Sequence, residues 1–239
     1  MSKENLKTRN KFSADLIYDA DSYDNVIINE QDRSYGPIFN DSIPDKVLDF
    51  GGNRGYFAAY AHFRGTKNII SIEPEPSNIE IWKQNAPPTA ALIMGAASLV
   101  AGDGVLYLNS GINHGTHSVK PKRGRETIPV KFYSFWDLIE QYKPDFVKID
   151  IESGEYMLDL DKHPFPDFVK YIAIEYTIIG NVKDYIRTKI LSQNHDEEVQ
   201  NDVFFRTYQH IKKQFPVVLK DSTKNLHKLN WDAVYCGKR

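Results

Sequence analysis

Short apolar runs alternate with helix-like stretches along most of this chain. The apolar runs stop at glycine, proline or charged residues, as buried strands typically do, and they lie at 46–50, 68–73, 90–94, 145–151 and 171–176. The stretches between them carry apolar residues at helical spacing and predict helices at 55–63, 77–85 and 134–142. Strands that alternate with helices indicate an α/β fold, with a mostly parallel sheet covered by helices on both faces.

The region before the first strand has a different character. Residues 1–44 are polar with scattered aromatic side chains, so we expect an N-terminal extension or lid with one short helix, ahead of a main domain at 45–239. Within the main domain, Ser77 stands three residues before Glu80, and this spacing predicts a capping box at the start of a helix.

The C-terminal part predicts two more helices and two more strands. Polar helical stretches near 182–193 and 203–213 lead into apolar runs at 215–219 and 231–236. A polar loop separates the two runs, so we expect them to pair as an antiparallel edge of the sheet. A further strand is predicted at 105–108, after a glycine-containing turn.

Composition narrows the class of protein. Apolar residues make up 41% of the chain, which is enough for a packed core, and the formal net charge of −2 argues against a surface that binds nucleic acid throughout. The one cysteine, Cys236, excludes an intrachain disulfide and a cysteine-rich zinc site. The sequence shows neither a signal-peptide core nor a membrane-spanning run, and we therefore expect a cytoplasmic protein.

The glycine-rich turn Asp49-Phe-Gly-Gly-Asn-Arg-Gly55 is the best candidate for a cofactor site. In doubly wound sheets, ligands bind beyond the carboxyl ends of the strands, where the strand order reverses. The G-x-G-x-x-G spacing of a dinucleotide site is absent, because Asn53 stands two residues after Gly51. Asp49 would repel a pyrophosphate, and it suits a cofactor that carries an amino group and a sulfonium cation.

Residues after the second and third strands extend this prediction. Glu73 follows Gly51 by about 20 residues, the distance at which a strand-end carboxylate accepts hydrogen bonds from ribose hydroxyls. Pro74 then closes the strand. Gly95, Ala96 and Ala97 follow the third strand, and their small size predicts room for a flat ring such as adenine.

The chain resembles the FkbM family of methyltransferases in four stretches, which occur in the order that the family has. They are 47–57, 72–77, 148–152 (Lys-Ile-Asp-Ile-Glu) and 174–175 (Ile-Glu). Two departures are small: Gly52 replaces the family's alanine, and Glu152-Ser-Gly-Glu155 replaces Glu-Gly-Ala-Glu.

The resemblance implies a Rossmann-like class I methyltransferase fold, S-adenosylmethionine as methyl donor, and O-methylation of a hydroxyl on a sugar, natural product or glycan. The residues we expect at the cofactor are Asp49, Gly51, Gly52, Asn53, Gly55, Glu73, Pro74, Gly95, Ala96, Ala97 and Asp150.

Three carboxylates are the first candidates for the acceptor side. A hydroxyl that accepts a methyl group loses a proton, so a nearby base or metal helps. Asp150 and Glu152 follow one strand and Glu175 ends the next; alternation would put Asp150 and Glu152 on one side if both are extended. Such carboxylates can hold Mg²⁺ or Ca²⁺, or bind substrate hydroxyls or a basic side chain, and we do not favour the metal.

The loop that follows residue 108 offers other groups. His114 and His117 are alternative general bases, in a loop where solvated histidines are also common. The basic residues Lys120, Lys122, Arg123 and Arg125 come next, and they predict a loop that caps the acceptor pocket and meets an anionic acceptor.

Three other functions remain open at this point. A nicotinamide-dependent oxidoreductase is disfavoured by the missing G-x-G-x-x-G. A nucleotide or nucleic-acid methyltransferase is disfavoured because no D-P-P-Y or N-P-P-Y motif occurs and Cys236 lacks a preceding proline. A catalytically inactive binding subunit is disfavoured because Asp49, Glu73, Asp150 and Glu175 are all present.

Overall fold

The computed structural model describes residues 3–6, 16–19, 24–109, 117–119, 125–177, 203–221 and 230–237. The strands are β1 (Lys3–Leu6), β2 (Leu16–Asp19), β3 (Lys46–Phe50), β4 (Asn68–Glu73), β5 (Ala90–Met94), β6 (Ala96–Ser98), β7 (Gly102–Tyr107), β8 (Thr127–Ser134), β9 (Phe146–Ile149), β10 (Tyr171–Thr177), β11 (Val217–Asp221) and β12 (Asn230–Cys236). The helices are α1 (Asp24–Asp41), α2 (Tyr56–Phe63), α3 (Pro76–Asn85), α4 (Phe135–Tyr142) and α5 (Val203–Gln214). The helix expected near 182–193 lies outside the described residues.

The central sheet has seven strands in the order β5-β4-β3-β9-β10-β12-β11. β3, β4, β5, β9 and β10 are parallel, whereas β12 is antiparallel to both of its neighbours. The chain builds outward from β3 through β4 to β5 and then returns to place β9 on the other side of β3. The strand order therefore reverses between β3 and β9, where this fold class binds its ligands.

The predicted fold class is confirmed: a mostly parallel Rossmann-like sheet lies between helices. The alternation of side chains along β3 sends Val47 to one face and Leu48 to the other. On Val47's side, α1 and α2 cover the sheet; on Leu48's side, α4 and α5 cover it. The two closing strands pair antiparallel as expected, although β12 lies inside the sheet and β11 forms the edge.

A second, three-stranded sheet in the order β6-β8-β7 adjoins the central one. The sequence analysis predicted part of β7 but neither β6 nor β8. β8 alternates exposed and half-buried residues and contains Pro129, and this combination weakens the signal of a strand. Leu106 of β7 and Ala96 of β6 are buried in the small core of this sheet.

The N-terminal helix α1 is longer than the short helix expected. It spans 18 residues and contains Gly36 and Pro37, two residues that disfavour a helix interior. Ile38 and Phe39, directly after Pro37, are buried against the main domain. Tertiary packing of this face therefore outweighs the local preference of the sequence.

The expected capping box at Ser77 is wrong. Helix α3 begins at Pro76, and its N-cap is Glu75, whose Oε2 accepts from the backbone N–H of Asn78 at 2.6 Å. Ser77 Oγ donates to the same oxygen at 2.5 Å. Proline at the first helical position favours this start, because its missing N–H is one that the helix leaves unbonded.

Candidate active site

A cavity of about 410 Å³ opens where the strand order reverses. Its size lies within the usual range for small-molecule sites, roughly 300–1,000 Å³. Most of the residues predicted for the site line it: Gly51, Asn53, Glu73, Pro74, Gly95, Ala96, Ala97, His117, Asp150, Glu152 and Glu175. Asp49, Gly52 and Gly55 are not among the lining residues, and His114, Lys120, Lys122 and Arg123 lie outside the described residues.

The turn after β3 is shaped by Gly51. Its φ of +90° is one that side chains rarely adopt, and a Cβ at this position would lie 1.8 Å from the backbone oxygen of Asp150. The N–H groups of Gly51 and Gly52 both donate to Ile72 O, at 3.1 and 2.9 Å. The turn is thereby held against β4 and the end of β9 together.

Asp49 lies beneath this turn and not on the cavity wall. Its side chain is fully buried, accepts from Ser71 Oγ at 2.8 Å and forms an ion pair with Lys148, whose Nζ lies 2.9 Å from Oδ1. Burial raises the pKa of the Asp49 carboxyl, and the Lys148 ammonium opposes that shift. Asp49 is thus not among the residues that line the cavity, and its contact with a cofactor stays a prediction.

Lys148 is a site residue that the sequence analysis did not single out. Its Nζ donates to Gly51 O at 3.0 Å and lies 3.6 Å from Asp150 Oδ2. Burial opposes the charge on Lys148, but Asp49, Asp150 and Glu175 outweigh burial and raise the pKa of the ammonium. A lysine inside an otherwise apolar strand was the signal, because such a charge needs a partner.

Glu73 reaches the cavity wall with its carboxylate already oriented. Oε2 accepts from the N–H of Asn53 at 2.8 Å, and Oε1 accepts from the N–H of Glu75 at 3.0 Å and from Asn78 Nδ2 at 3.3 Å. Burial raises the pKa of Glu73 to about 7, against the effect of these hydrogen bonds. Its role toward a ribose stays a prediction.

Gly95 lines the cavity, but its lack of a side chain has another cause. A Cβ there would lie 2.6 Å from Lys131 O and 2.6 Å from the Tyr133 ring, so β8 could not pack as it does. Ala96 and Ala97 are buried in β6. The small residues thus serve strand packing at Gly95, and their contact with a flat ring stays a prediction.

The three candidate acceptor carboxylates come together in this cavity. Asp150 follows β9 and is about a third exposed, with a side-chain exposure of 30%, and Glu175 lies in β10 beside it. Glu152 has φ +52°, so the alternation expected between Asp150 and Glu152 does not apply. A backbone contact holds this turn: Ser118 Oγ donates to Glu152 O at 2.6 Å.

His117 lines the cavity in a specific tautomer. Its Nδ1 accepts from the backbone N–H of Asn109 at 2.9 Å. In the neutral ring the proton then sits on Nε2, so the other ring nitrogen is a hydrogen-bond donor. This contact favours His117 Nε2 as a hydrogen-bond donor to a ligand over His117 as a general base. Among the residues that the structure describes, no group of three or more His, Cys, Asp or Glu side chains could hold a metal ion.

One wall of the cavity comes from α1, which sequence reasoning missed. Its contributors are Val26, Ile27, Glu30, Gln31, Ser34 and Tyr35. A buried ion pair fixes the start of this helix: Arg54, within the glycine-rich turn, bonds to Asp24. Arg54 Nε also donates to Asn78 Oδ1 at 3.2 Å, so the turn, α1 and α3 are held together.

Glu155 is a buried carboxyl just outside the cavity wall. It is 1% exposed; Oε1 accepts from the N–H of Ile151 at 3.1 Å, while Oε2 has no hydrogen-bond partner among the described residues. Burial raises the pKa of Glu155 to about 8. The folded protein therefore keeps this carboxyl protonated at neutral pH.

We expect Glu155→Gln to gain stability relative to the parent protein as pH rises. The unfolded carboxyl loses its proton near its ordinary pKa of about 4.3, whereas the folded one keeps it to about 8. The parent thus loses stability across this window, by about 2 kcal/mol between pH 6 and pH 8, and the glutamine variant does not. Urea unfolding at several pH values measures the difference, with the exposed Glu140→Gln on α4 as control. Parallel pH profiles for parent and variant would contradict the shift.

Comparison with known proteins agrees with the resemblance seen in the sequence. Residues 49–158 match the family model of the methyltransferase FkbM domain. No curated protein matches the sequence. Within the described residues, no helix has both the length and the apolar character that crossing a membrane requires.

Several solved structures are similar to this chain at low identity. An FkbM methyltransferase from Methylobacillus flagellatus KT is 15% identical over 56% of this chain and 33% of its own, with a TM-score of 0.36. Trm1 from Pyrococcus horikoshii, solved with S-adenosyl-L-methionine, is 16% identical over 93% of this chain and 58% of its own, with a TM-score of 0.46. A TehB-like S-adenosylmethionine-dependent methyltransferase from Corynebacterium glutamicum is 12% identical over 90% of this chain and 96% of its own, with a TM-score of 0.42. The chain spans about a third of the length of the first of these structures.

Proposed function

We propose that this chain, whose residues 49–158 match the family model of the methyltransferase FkbM domain, transfers the methyl group of S-adenosylmethionine to a hydroxyl of a sugar or another small-molecule or glycan acceptor. The observation that carries the proposal is a single cavity with Glu73 on one side of the strand-order reversal and Asp150 and Glu175 on the other. One carboxylate suits a ribose, and the other two suit a cation and a reacting hydroxyl.

The residues present fit the proposed cofactor. Glu73 has two oxygens held by backbone and amide donors, which leaves acceptor capacity toward the cavity. Asn53 Oδ1 is a buried acceptor with no hydrogen-bond partner among the described residues, in the same wall. A ligand with hydroxyl and amino groups would satisfy both residues.

S-adenosylmethionine supplies a methyl group on a sulfonium sulfur, which accepts the carbon–sulfur bond electrons when the acceptor oxygen bonds to the methyl carbon. This chain must align the acceptor hydroxyl and remove its proton. Asp150 directly follows β9, Glu175 lies in the neighbouring β10, and both line the cavity, so either can accept that proton. We assign the proton to Asp150 first, because its Oδ2 lies 3.6 Å from Lys148 Nζ, which also donates to Gly51 O in the turn.

The described cavity wall fits a neutral polyhydroxyl acceptor better than an anionic one. It carries the carboxylates Glu30, Glu73, Asp150, Glu152 and Glu175, and no lysine or arginine among the described lining residues. The expectation of an anionic acceptor depends on Lys120, Lys122 and Arg123, which lie outside the described residues, and on Arg125, which is not among the lining residues.

Mass spectrometry of reaction products tests the proposed function. Purified protein is incubated with S-adenosylmethionine and separate pools of neutral sugars, sugar phosphates, nucleosides and RNA. A sugar product heavier by one methylene, with fragments that place it on oxygen, supports the proposal. Methylation confined to RNA or nucleosides would contradict the acceptor class, and cofactor binding without turnover on any pool would indicate a binding subunit.

We expect Glu73→Ala to weaken binding of S-adenosylhomocysteine at least about tenfold, since a charged hydrogen-bond acceptor is lost. The ionised carboxylate is the better acceptor, and the pKa of Glu73 is about 7. Affinity of the parent protein should therefore rise several-fold from pH 6 to pH 8, while Glu73→Gln should flatten this dependence. Calorimetry at each pH measures both effects, with the exposed Glu80→Gln on α3 as control. Equal affinities for parent and Glu73→Ala would remove Glu73 from the site.

A further inference from the structure

Gln31 is a polar side chain of α1 that the proposed function has not used. It lines the cavity, although only 6% of the residue is exposed. Its Nε2 donates to the backbone oxygen of Ile27 at 2.9 Å, one helical turn earlier, and this contact fixes which end of the amide is the nitrogen and which is the oxygen. Oε1 is buried and has no hydrogen-bond partner among the described residues. A buried acceptor of this kind is costly unless a ligand supplies a donor.

The position of α1 shows which part of a ligand Gln31 would meet. The helix packs along α2 and contacts β12 and β11, which lie on the opposite side of β3 from β4 and β5, while its first residue pairs with Arg54 of the turn. Glu73 and Gly95 lie at the ends of β4 and β5, where the ribose and adenine are expected. A ligand seated there extends its other end across the Gly51 turn toward Asp150, on the side where α1 lies.

The anchoring of α1 keeps Gln31 in register with this turn. Asp24, the first residue of α1, pairs with Arg54 of the turn, and both side chains are almost fully buried. Tyr35, one turn after Gln31, packs edge-to-face on Phe57 of α2, with ring centroids 4.7 Å apart. The helix is thus fixed on both sides of Gln31, so its amide oxygen is preorganised.

We propose that Gln31 Oε1 accepts a hydrogen bond from the ammonium group in the amino-acid part of S-adenosylmethionine. The inference rests on the proposed function, because it takes that cofactor as the ligand. It extends the binding site to a helix that lies outside the matched residues 49–158. An amide oxygen suits an ammonium group, because that group carries only donors.

Calorimetry with two truncated forms of the donor tests this assignment. S-adenosylhomocysteine keeps the amino-acid part, whereas 5′-methylthioadenosine lacks it. Gln31→Met, which removes the oxygen and preserves a long unbranched side chain, should weaken binding of S-adenosylhomocysteine by about tenfold and leave methylthioadenosine within about twofold. Gln31→Glu keeps an acceptor oxygen and should bind S-adenosylhomocysteine within about threefold of the parent.

Gln84 provides a matched control. It also donates from Nε2 to the backbone oxygen four residues earlier, Glu80 O, at 2.8 Å, but it is exposed on α3 away from the cavity wall. Gln84→Met should change neither affinity, and melting temperatures check that each variant folds. Equal losses for both ligands in Gln31→Met, or no loss for either, would overturn the assignment. A parent protein that binds neither ligand would instead overturn the proposed function on which the assignment rests.

Discussion

Replacing Asp150 with asparagine is expected to lower turnover by roughly 10²–10⁴-fold, the range for a positioned acid or base. Asp150 lies at the end of the strand next to β3, faces the cavity and is partly open to solvent. Asparagine preserves the shape of the side chain but cannot accept the hydroxyl proton. Affinity for S-adenosylhomocysteine should change much less, since the chemistry and not the cofactor is affected.

Turnover, cofactor affinity and melting temperature are measured on the same preparations. Glu175→Gln tests the neighbouring carboxylate in the same way, and Asp103→Asn, at an exposed position of β7, serves as control. A lowered melting temperature with normal turnover in the folded fraction would indicate a structural role for either carboxylate. Near-normal turnover in both variants would remove both carboxylates from the chemistry and direct attention to His117.

Replacing Lys148 with methionine is expected to destabilise the fold by about 3–5 kcal/mol, because it leaves Asp49 buried without its cation. Asp49 and Lys148 are both almost completely buried, with Nζ and Oδ1 2.9 Å apart. For a protein of this length, such a loss lowers the melting temperature by on the order of 10 °C. Lys148 also donates to Gly51 O, so cofactor affinity should fall as well.

A double variant separates the two contributions. Lys148→Met with Asp49→Asn removes both charges, and we expect it to recover part of the lost stability while cofactor affinity stays low. Lys131→Met is the control, since Lys131 pairs with Asp103 at 2.7 Å on the surface, where ion pairs contribute little. Equal melting temperatures for Lys148→Met and Lys131→Met would show that the buried pair does not stabilise the fold.

The central sheet and the turn could be predicted from sequence because local patterns determine them. Strands that are buried on both faces appear in the sequence as continuous apolar runs, as in β3 and β9. Their alternation with helices along the chain indicates a parallel sheet. Gly51 and Glu73 were found for the same reason: both stand at the end of such a run. The carboxyl ends of parallel strands then meet at one edge, which brought Asp150 and Glu175 to the cavity.

What could not be predicted depends on contacts between distant parts of the chain. Nothing near Gln31 in the sequence indicates that it faces a cavity built from β3, β4 and β9, and Pro37 argued against a long helix there. Spacing alone also does not distinguish a residue on a cavity wall from one beneath it, where Asp49 lies. Only the three-dimensional position of Lys148 makes that distinction.

The contact between Gly51 and the backbone oxygen of Asp150 limits how a protein of this kind can diverge. Any side chain at position 51 would displace the end of β9 and with it the candidate catalytic carboxylate, so no gradual series of substitutions leads away from glycine there. An exposed cavity-lining position of α1 such as Val26, which is 45% exposed, carries no such restriction. Selection for new ligands would therefore act first on the helix, while position 51 stays unchanged among descendants with different acceptors.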